Sequence, residues 1–127
     1  MFVVMTGGSG SGKSQLAEQL AVKLWGQQGE LFYLATMENH GKEAEERILR
    51  HQAQRRGKGF TTLECPLDLQ KVRLPQGCTV LVECLSNLVA NEMFEREPTG
   101  AKGRILQGIE QLQSHCRHLV VVPNEVF

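Results

Sequence analysis

The chain has no excess of charge of either sign. Lysine plus arginine and aspartate plus glutamate number 14 each, giving a formal net charge of zero. Nothing in that balance draws the chain to DNA, RNA or an anionic membrane, so any phosphate binding has to come from a local arrangement. Aromatic residues are equally sparse at 6%, with one tryptophan and one tyrosine, which argues against a base-stacking nucleic-acid groove. The four cysteines (Cys65, Cys78, Cys84, Cys116) form no C-x-x-C pair. Neither a zinc site nor a disulfide framework is indicated, and reduced, mostly buried thiols are expected. No apolar run approaches membrane-spanning length, and the start MFVVMTGG lacks a charged n-region and a cleavage site. A cytoplasmic protein without a membrane span is the expectation. No internal repeat or low-complexity tract is present.

Against this plain background one segment stands out. Residues Gly7 to Ser14 read GGSGSGKS, a complete G-x-x-x-x-G-K-[ST] pattern between an apolar run and an amphipathic helix pattern. In such a loop Gly7, Gly8, Ser9, Gly10, Ser11 and Gly12 let successive backbone N–H groups converge on an anion, and the following helix aims the positive end of its dipole there. Lys13 would reach the β- and γ-phosphates and Ser14 would ligate Mg²⁺. The alternative, a flexible Gly/Ser linker, explains neither the preceding strand nor Leu16, Ala17, Leu20, Ala21 and Leu24 falling on one helical face.

Strand-like and helix-like segments then alternate. Phe2 to Thr6 reads as a buried strand of a sheet covered on both faces, and the helix after the loop runs to about Trp25. Leu31 to Ala35 is a second strand and Lys42 to Arg56 a charged helix without Gly or Pro. Thr61 to Cys65 is a short third strand. Thr79 to Glu83 reads as a central strand, Leu85 to about Glu95 and Arg104 to Ser114 as helices, and His118 to Val122 as a last buried strand. This order predicts an α/β three-layer sandwich with a mostly parallel sheet. Ligands of such sheets bind at the carboxyl ends of strands, which makes Thr36, Met37 and Glu38 candidate contacts.

Glu83, where the apolar run VLVE stops, stands where an acid reaches the Mg²⁺ shell of a P-loop site. Alone it would read as a solvated strand-end glutamate. On the charged helix Arg47, His51 and Arg55 recur every four residues. Guanidiniums beside an imidazole disfavour its protonation and can hold phosphate oxygens, so His51 could attack phosphorus as a neutral nucleophile. A lone histidine on a charged helix is ordinarily a solvated surface residue. His115 and His118 straddle a helix-to-strand junction with no carboxylate nearby, which makes a poor metal site.

Several separated segments agree with one family: MTGGSGSGKS (Met5 to Ser14), YLAT (Tyr33 to Thr36), ERILRHQAQRR (Glu46 to Arg56), TTLE (Thr61 to Glu64), VLVECLSNLVAN (Val80 to Asn91) and VVVPNEV (Val120 to Val126). The chain resembles the bifunctional adenosylcobinamide kinase/adenosylcobinamide-phosphate guanylyltransferase family of cobalamin biosynthesis. The R-I-x-x-H-x-x-x-R helix and the closing NEV are far more specific than the P-loop. The resemblance implies a RecA-like P-loop NTPase fold and a homotrimer with each nucleotide site near a neighbouring subunit. Its substrates would be a small-molecule corrinoid and GTP or ATP with Mg²⁺, and its product adenosylcobinamide-GDP. It implies that His51 is the residue guanylylated by GTP. It also places Thr36, Met37, Glu38, Gln52, Ala53, Gln54, Arg55, Glu64 and Glu83 around the nucleotide, with Lys13 on the triphosphate.

Three positions depart from the family: Phe60 replaces a tryptophan, Pro123 a serine or threonine, and Phe127 a glycine. The family continues past NEV with a further helix and strand, so residues 1–127 are expected to be a single nucleotide-binding domain truncated at its C-terminus. Two other readings stay open. One is a small-molecule P-loop kinase in which His51 only contacts phosphate, and the other a nucleotide-binding fragment that catalyses nothing.

Overall fold

The structure is a computed structural model, and it describes residues 1–6, 13–38 and 41–123, without the side chain of Lys13. Five strands form one sheet: β1 (Phe2–Val4), β2 (Leu31–Ala35), β3 (Thr61–Glu64), β4 (Thr79–Glu83) and β5 (His118–Val122). Their spatial order is β1-β5-β4-β2-β3 and every pairing is parallel. The helices are α1 (Lys13–Trp25), α2 (Lys42–Arg55), α3 (Leu85–Glu95) and α4 (Ala101–His115), with 3₁₀ turns at Leu69–Lys71 and Pro98–Gly100. This is the α/β layered architecture the alternation predicts. No helix of the described residues is long and apolar enough to cross a membrane.

Side chains alternate across the strands, so the sheet has a core on each face. On one face Leu31, Tyr33, Leu81, Val120 and Val122 pack against Ala17 and Ala21 of α1. On the other Phe32, Leu34, Val80, Val82, Leu119 and Val121 meet Leu69, Leu88 of α3, and Ile105 and Leu112 of α4. Because β4 is covered on both sides, all five of its residues are buried. α1 stops at Trp25 because Gly26 takes a positive φ of 54°, and its N–H returns to Val22 O at 3.2 Å.

The structure departs from the sequence reading in three places. β1 is an edge strand of three residues rather than a fully covered one, with Phe2 42% and Val4 52% exposed. Only Val3 packs on the α1 side. The buried face of α1 is turned from the one the leucines suggest: Ala17, Glu18 and Ala21 are buried while Leu16 is 52% exposed. The small alanines let the helix approach the sheet and leave Leu16 outside. The last helix begins at Ala101, three residues early, after the Pro98 turn.

One close approach makes a sharp test of packing. A Cβ on Gly108 of α4 would stand 2.7 Å from Leu69 Cγ, 2.8 Å from Leu69 Cβ and 3.0 Å from Gln70 N. Gly108→Ala should gain about 1 kcal/mol of helix propensity and lose more through overpacking against a buried side chain, which costs about 1–3 kcal/mol. The expected outcome is a lower urea midpoint than wild type. A midpoint raised as propensity alone would raise it would show that Leu69 gives way freely.

Candidate functional site

Parallel register builds one wall of the site. Ala35 lies opposite Glu64 of β3 and Glu83 of β4, and two residues earlier Tyr33 lies opposite Thr62 and Leu81. In-register neighbours on a parallel sheet share a face. The rows Thr62–Tyr33–Leu81 and Glu64–Ala35–Glu83 therefore look toward the side occupied by α1.

Helix α2 closes the opposite wall. Its last residue, Arg55, is only 5% exposed, with its guanidinium carbon 3.5 Å above the centre of the Tyr33 ring. Arg55 Nη2 donates to Thr62 Oγ1 at 3.3 Å. Its Nε and Nη1 are buried and have no hydrogen-bond partner among the described residues. The Tyr33 hydroxyl donates to Glu83 Oε2 at 2.7 Å, and Phe60 meets the Tyr33 ring edge-on at 6.0 Å. A narrow recess of about 20 Å³ lies between these walls, lined by Tyr33, Ala35, Met37, Ile48, His51, Gln52, Arg55, Thr62, Glu64 and Glu83. That is room for about one water, and the recess opens beside a hollow of about 340 Å³ lined by Met37, Glu38, Gln52 and Glu64.

α2 is tied to α1 by a buried carboxylate. Glu18 is fully buried and accepts from Gln54 Nε2 at 2.7 Å and from Lys58 Nζ at 3.0 Å. Gln54 Nε2 also lies 3.3 Å from Ser14 Oγ. The final serine of the phosphate-loop motif and the helix carrying His51 are thus joined through one amide group. Gln54 and Arg55 both follow His51 by about one turn, one anchoring the helix to α1 while the other enters the recess.

The sequence-predicted residues divide as follows. His51, Gln52, Arg55, Glu64, Glu83 and Met37 come together around the recess. Glu38 lies on the adjoining surface hollow, which shares Met37, Gln52 and Glu64 with it. Gln54 and Ser14 meet each other beneath α2. Ala53 is exposed and borders neither hollow. Thr36 sits behind the recess, fully buried. Its hydroxyl donates to Cys84 O at 2.7 Å and accepts from Cys84 N at 2.8 Å, while Thr36 N donates to Glu83 O at 3.2 Å. It clamps the ends of β2 and β4 and so fixes where Glu83 emerges. Asn91 of α3 supports the same segment, donating to Thr36 O and Pro66 O at 2.9 Å each.

The expected face of Arg47, His51 and Arg55 is split. Eight residues at 3.6 per turn drift by about 80°, and Arg47 borders an outer hollow with Glu43, Glu46 and Arg50. Gly7, Gly8, Ser9, Gly10, Ser11 and Gly12, the Lys13 side chain, His40 and the NEV segment lie outside the described residues.

His115 and His118 stand at the amino end of β5, opposite the recess, and no group of three or more potential metal ligands occurs among the described residues. Burial, helped by the nearby N-terminal ammonium and Arg117, holds His118 below the usual imidazole range. The cysteines are free thiols, as expected. Burial, reinforced by Asp68 and Glu92, pushes Cys65 up to about 11, which leaves it protonated and inert. Sequence reasoning missed Tyr33, Glu18, Thr62 and Lys58. The usable signal was a tyrosine inside an apolar strand and a glutamate between the two buried alanines of α1.

Residues 3–127 match the family model described as cobinamide kinase / cobinamide phosphate guanyltransferase. The bifunctional adenosylcobalamin biosynthesis protein CobP of Pseudomonas aeruginosa is 32% identical over 126 residues, covering 96% of this chain and 70% of that protein.

Proposed function

The chain belongs to the cobinamide kinase / cobinamide phosphate guanyltransferase family, and from that premise we propose that a guanine nucleotide binds across the recess and the hollow beside it and serves both reactions, with His51 as the covalent guanylyl carrier. The observation that carries this reading is the joint placement of His51, Arg55, Glu64 and Glu83 around one recess, whose buried guanidinium has two nitrogens without a partner among the described residues.

A guanidinium held dry against an aromatic face, with Nε and Nη1 unspent, is a fitted receiver for phosphate oxygens. When the triphosphate binds at the mouth of the recess, Arg55 would take two of those oxygens and orient the α-phosphorus toward His51. The His51 ring nitrogen attacks that phosphorus, a P–N bond forms, the bond between the α-phosphorus and its bridging oxygen breaks, and pyrophosphate leaves. In the second half the phosphate oxygen of cobinamide phosphate attacks the same phosphorus. The P–N bond then breaks and its electron pair returns to His51, giving the GDP-linked product. In the kinase reaction the cobinamide hydroxyl attacks the γ-phosphorus instead and gives up its proton, the bond between that phosphorus and its bridging oxygen breaks, and the nucleoside diphosphate leaves, with Lys13 on the phosphates.

The oxygen donors suit Mg²⁺. Ser14 offers a half-buried hydroxyl and Glu83 a buried carboxylate, and such a cation is usually held by one or two protein oxygens plus phosphate and water. Bound there, it would screen the charge that develops on the transferred phosphoryl group. Gln54, held by Glu18, keeps the Ser14 hydroxyl in place.

The test is covalent labelling. Chain incubated with GTP radiolabelled at the α-phosphate should carry an acid-labile, base-stable adduct, and His51→Asn should carry none. Equal labelling of the variant, or no adduct on a chain that binds GTP, would overturn the carrier assignment.

A further inference from the structure

Tyr33 touches both halves of the charge system in the recess and is the only aromatic ring between them among the described residues. Its face lies under the Arg55 guanidinium at 3.5 Å, and its hydroxyl donates to Glu83 Oε2 at 2.7 Å in a buried bond. The ring is 2% exposed and is fixed from the side by Phe60, so neither contact can drift independently of the other. Resting on the nucleotide reading above, we infer that Tyr33 is a positioning residue with two separable functions: its ring presents Arg55 to the phosphates and its hydroxyl orients the Glu83 carboxylate toward the divalent cation.

The physical argument concerns what each group would do without the tyrosine. A carboxylate at a strand end can turn about its last bond, and a hydroxyl on one oxygen fixes the plane in which the other is offered. Groups that orient a metal-binding side chain in this way typically alter metal affinity by about 10- to 100-fold when removed. A guanidinium with one modest bond, to Thr62 at 3.3 Å, depends for its orientation on the surface beneath it. A desolvated cation over an aromatic face is held strongly enough to matter for binding, by about 2 kcal/mol or about 30-fold. The two contacts use different parts of the side chain, so two substitutions separate them. Tyr33→Phe deletes the hydroxyl and keeps the face, whereas Tyr33→Leu deletes both.

Two direct binding measurements provide the test, neither of which needs turnover. Mn²⁺ is titrated into the chain saturated with an α,β-methylene GTP analogue and the free ion is counted by electron paramagnetic resonance. The same analogue is separately titrated by calorimetry with a chelator present. Tyr33→Phe should weaken Mn²⁺ binding about tenfold or more and leave the metal-free nucleotide affinity where it was. Tyr33→Leu should weaken both, the metal-free nucleotide affinity by about 10- to 30-fold.

A purely structural tyrosine would predict lower melting temperatures with unchanged Mn²⁺ and nucleotide affinities in the folded fraction, and that result overturns the inference. So does a Tyr33→Phe variant whose Mn²⁺ affinity matches wild type, which decides the hydroxyl function even if Tyr33→Leu fails to fold. A wild-type chain that binds neither probe sinks the nucleotide reading itself. A wild-type chain that binds both while Tyr33→Phe changes nothing sinks only the inference.

Discussion

Arg55→Met should make the ligand-free chain more stable while removing most of its affinity for a triphosphate. Arg55 is 5% exposed, and its Nε and Nη1 have no partner among the described residues. Each buried, unsatisfied donor costs about 1–3 kcal/mol, more on a charged group. Against this stand the Tyr33 face, worth about 2 kcal/mol when desolvated, and a single 3.3 Å bond to Thr62. The unpaired donors win by a small margin. Methionine also recovers part of the lost contact, because a thioether over an aromatic ring contributes about 0.3–1.5 kcal/mol. The net gain should be about 1 kcal/mol, seen as a melting temperature raised by about 3 °C. In the complex the same two donors meet phosphate oxygens, each charge-assisted bond contributing about 1.5–3 kcal/mol, so their loss weakens binding at least about a hundredfold. Arg55→Lys should not rescue affinity, since a point charge cannot reproduce the planar fork. Thermal melts and calorimetry on the same samples decide it. A variant that melts lower than wild type and still binds the triphosphate normally would remove Arg55 from the site.

That opposition between stability and binding explains which parts of the molecule a sequence can announce. The sheet was legible because TVLVE and HLVVV are continuous apolar runs, and a strand buried on both faces needs them; both begin and end where the pattern says. β1 has the same local character in FVV but sits at an edge, because strand order is set by long-range pairing that no three-residue pattern encodes. The residues around the recess were legible through motif and resemblance. Their contacts were not. Tyr33 and Glu83 are fifty positions apart, and only the register Ala35 opposite Glu83 brings the hydroxyl to the carboxylate. Glu18 was hidden by the leucines beside it: the helix reading favoured Leu16, whereas the structure turns Glu18 inward, where Lys58 and Gln54 meet it. Ala17 and Ala21 set the stripe that packs on the sheet, and the carboxylate beside them is held inside by partners that periodicity alone could not see.

The second large effect belongs to a glutamate with no part in the recess. Glu92 occupies the buried face of α3 one turn after Leu88 and is fully buried. Its Oε1 accepts from Arg104 Nε at 2.6 Å and its Oε2 from the backbone N–H of Asp68 at 2.7 Å. Arg104 Nη2 also donates to Glu97 O at 2.8 Å. One carboxylate therefore holds together α3, α4 and the turn that precedes Leu69, where Asp68 takes a left-handed φ of 60°. Glu92→Ala takes the charge partner from Arg104 and leaves the Asp68 N–H unpaired at once, and breaking a buried pair from one side costs about 3–5 kcal/mol. A domain of this size has about 5–15 kcal/mol in total, so the urea midpoint should fall by about a fifth or more. Glu92→Gln keeps the volume and one acceptor but turns an NH₂ toward a donor, and should fall between. The double variant Glu92→Leu with Arg104→Met should recover most of the loss, because removing both charges leaves neither uncompensated. If Glu92→Ala unfolds within 1 kcal/mol of wild type, or if the double variant is no better than the single, the carboxylate is not the clasp its contacts describe. Since neither residue borders the recess, a folded double variant should bind the triphosphate as wild type does, which separates the frame of the molecule from its site.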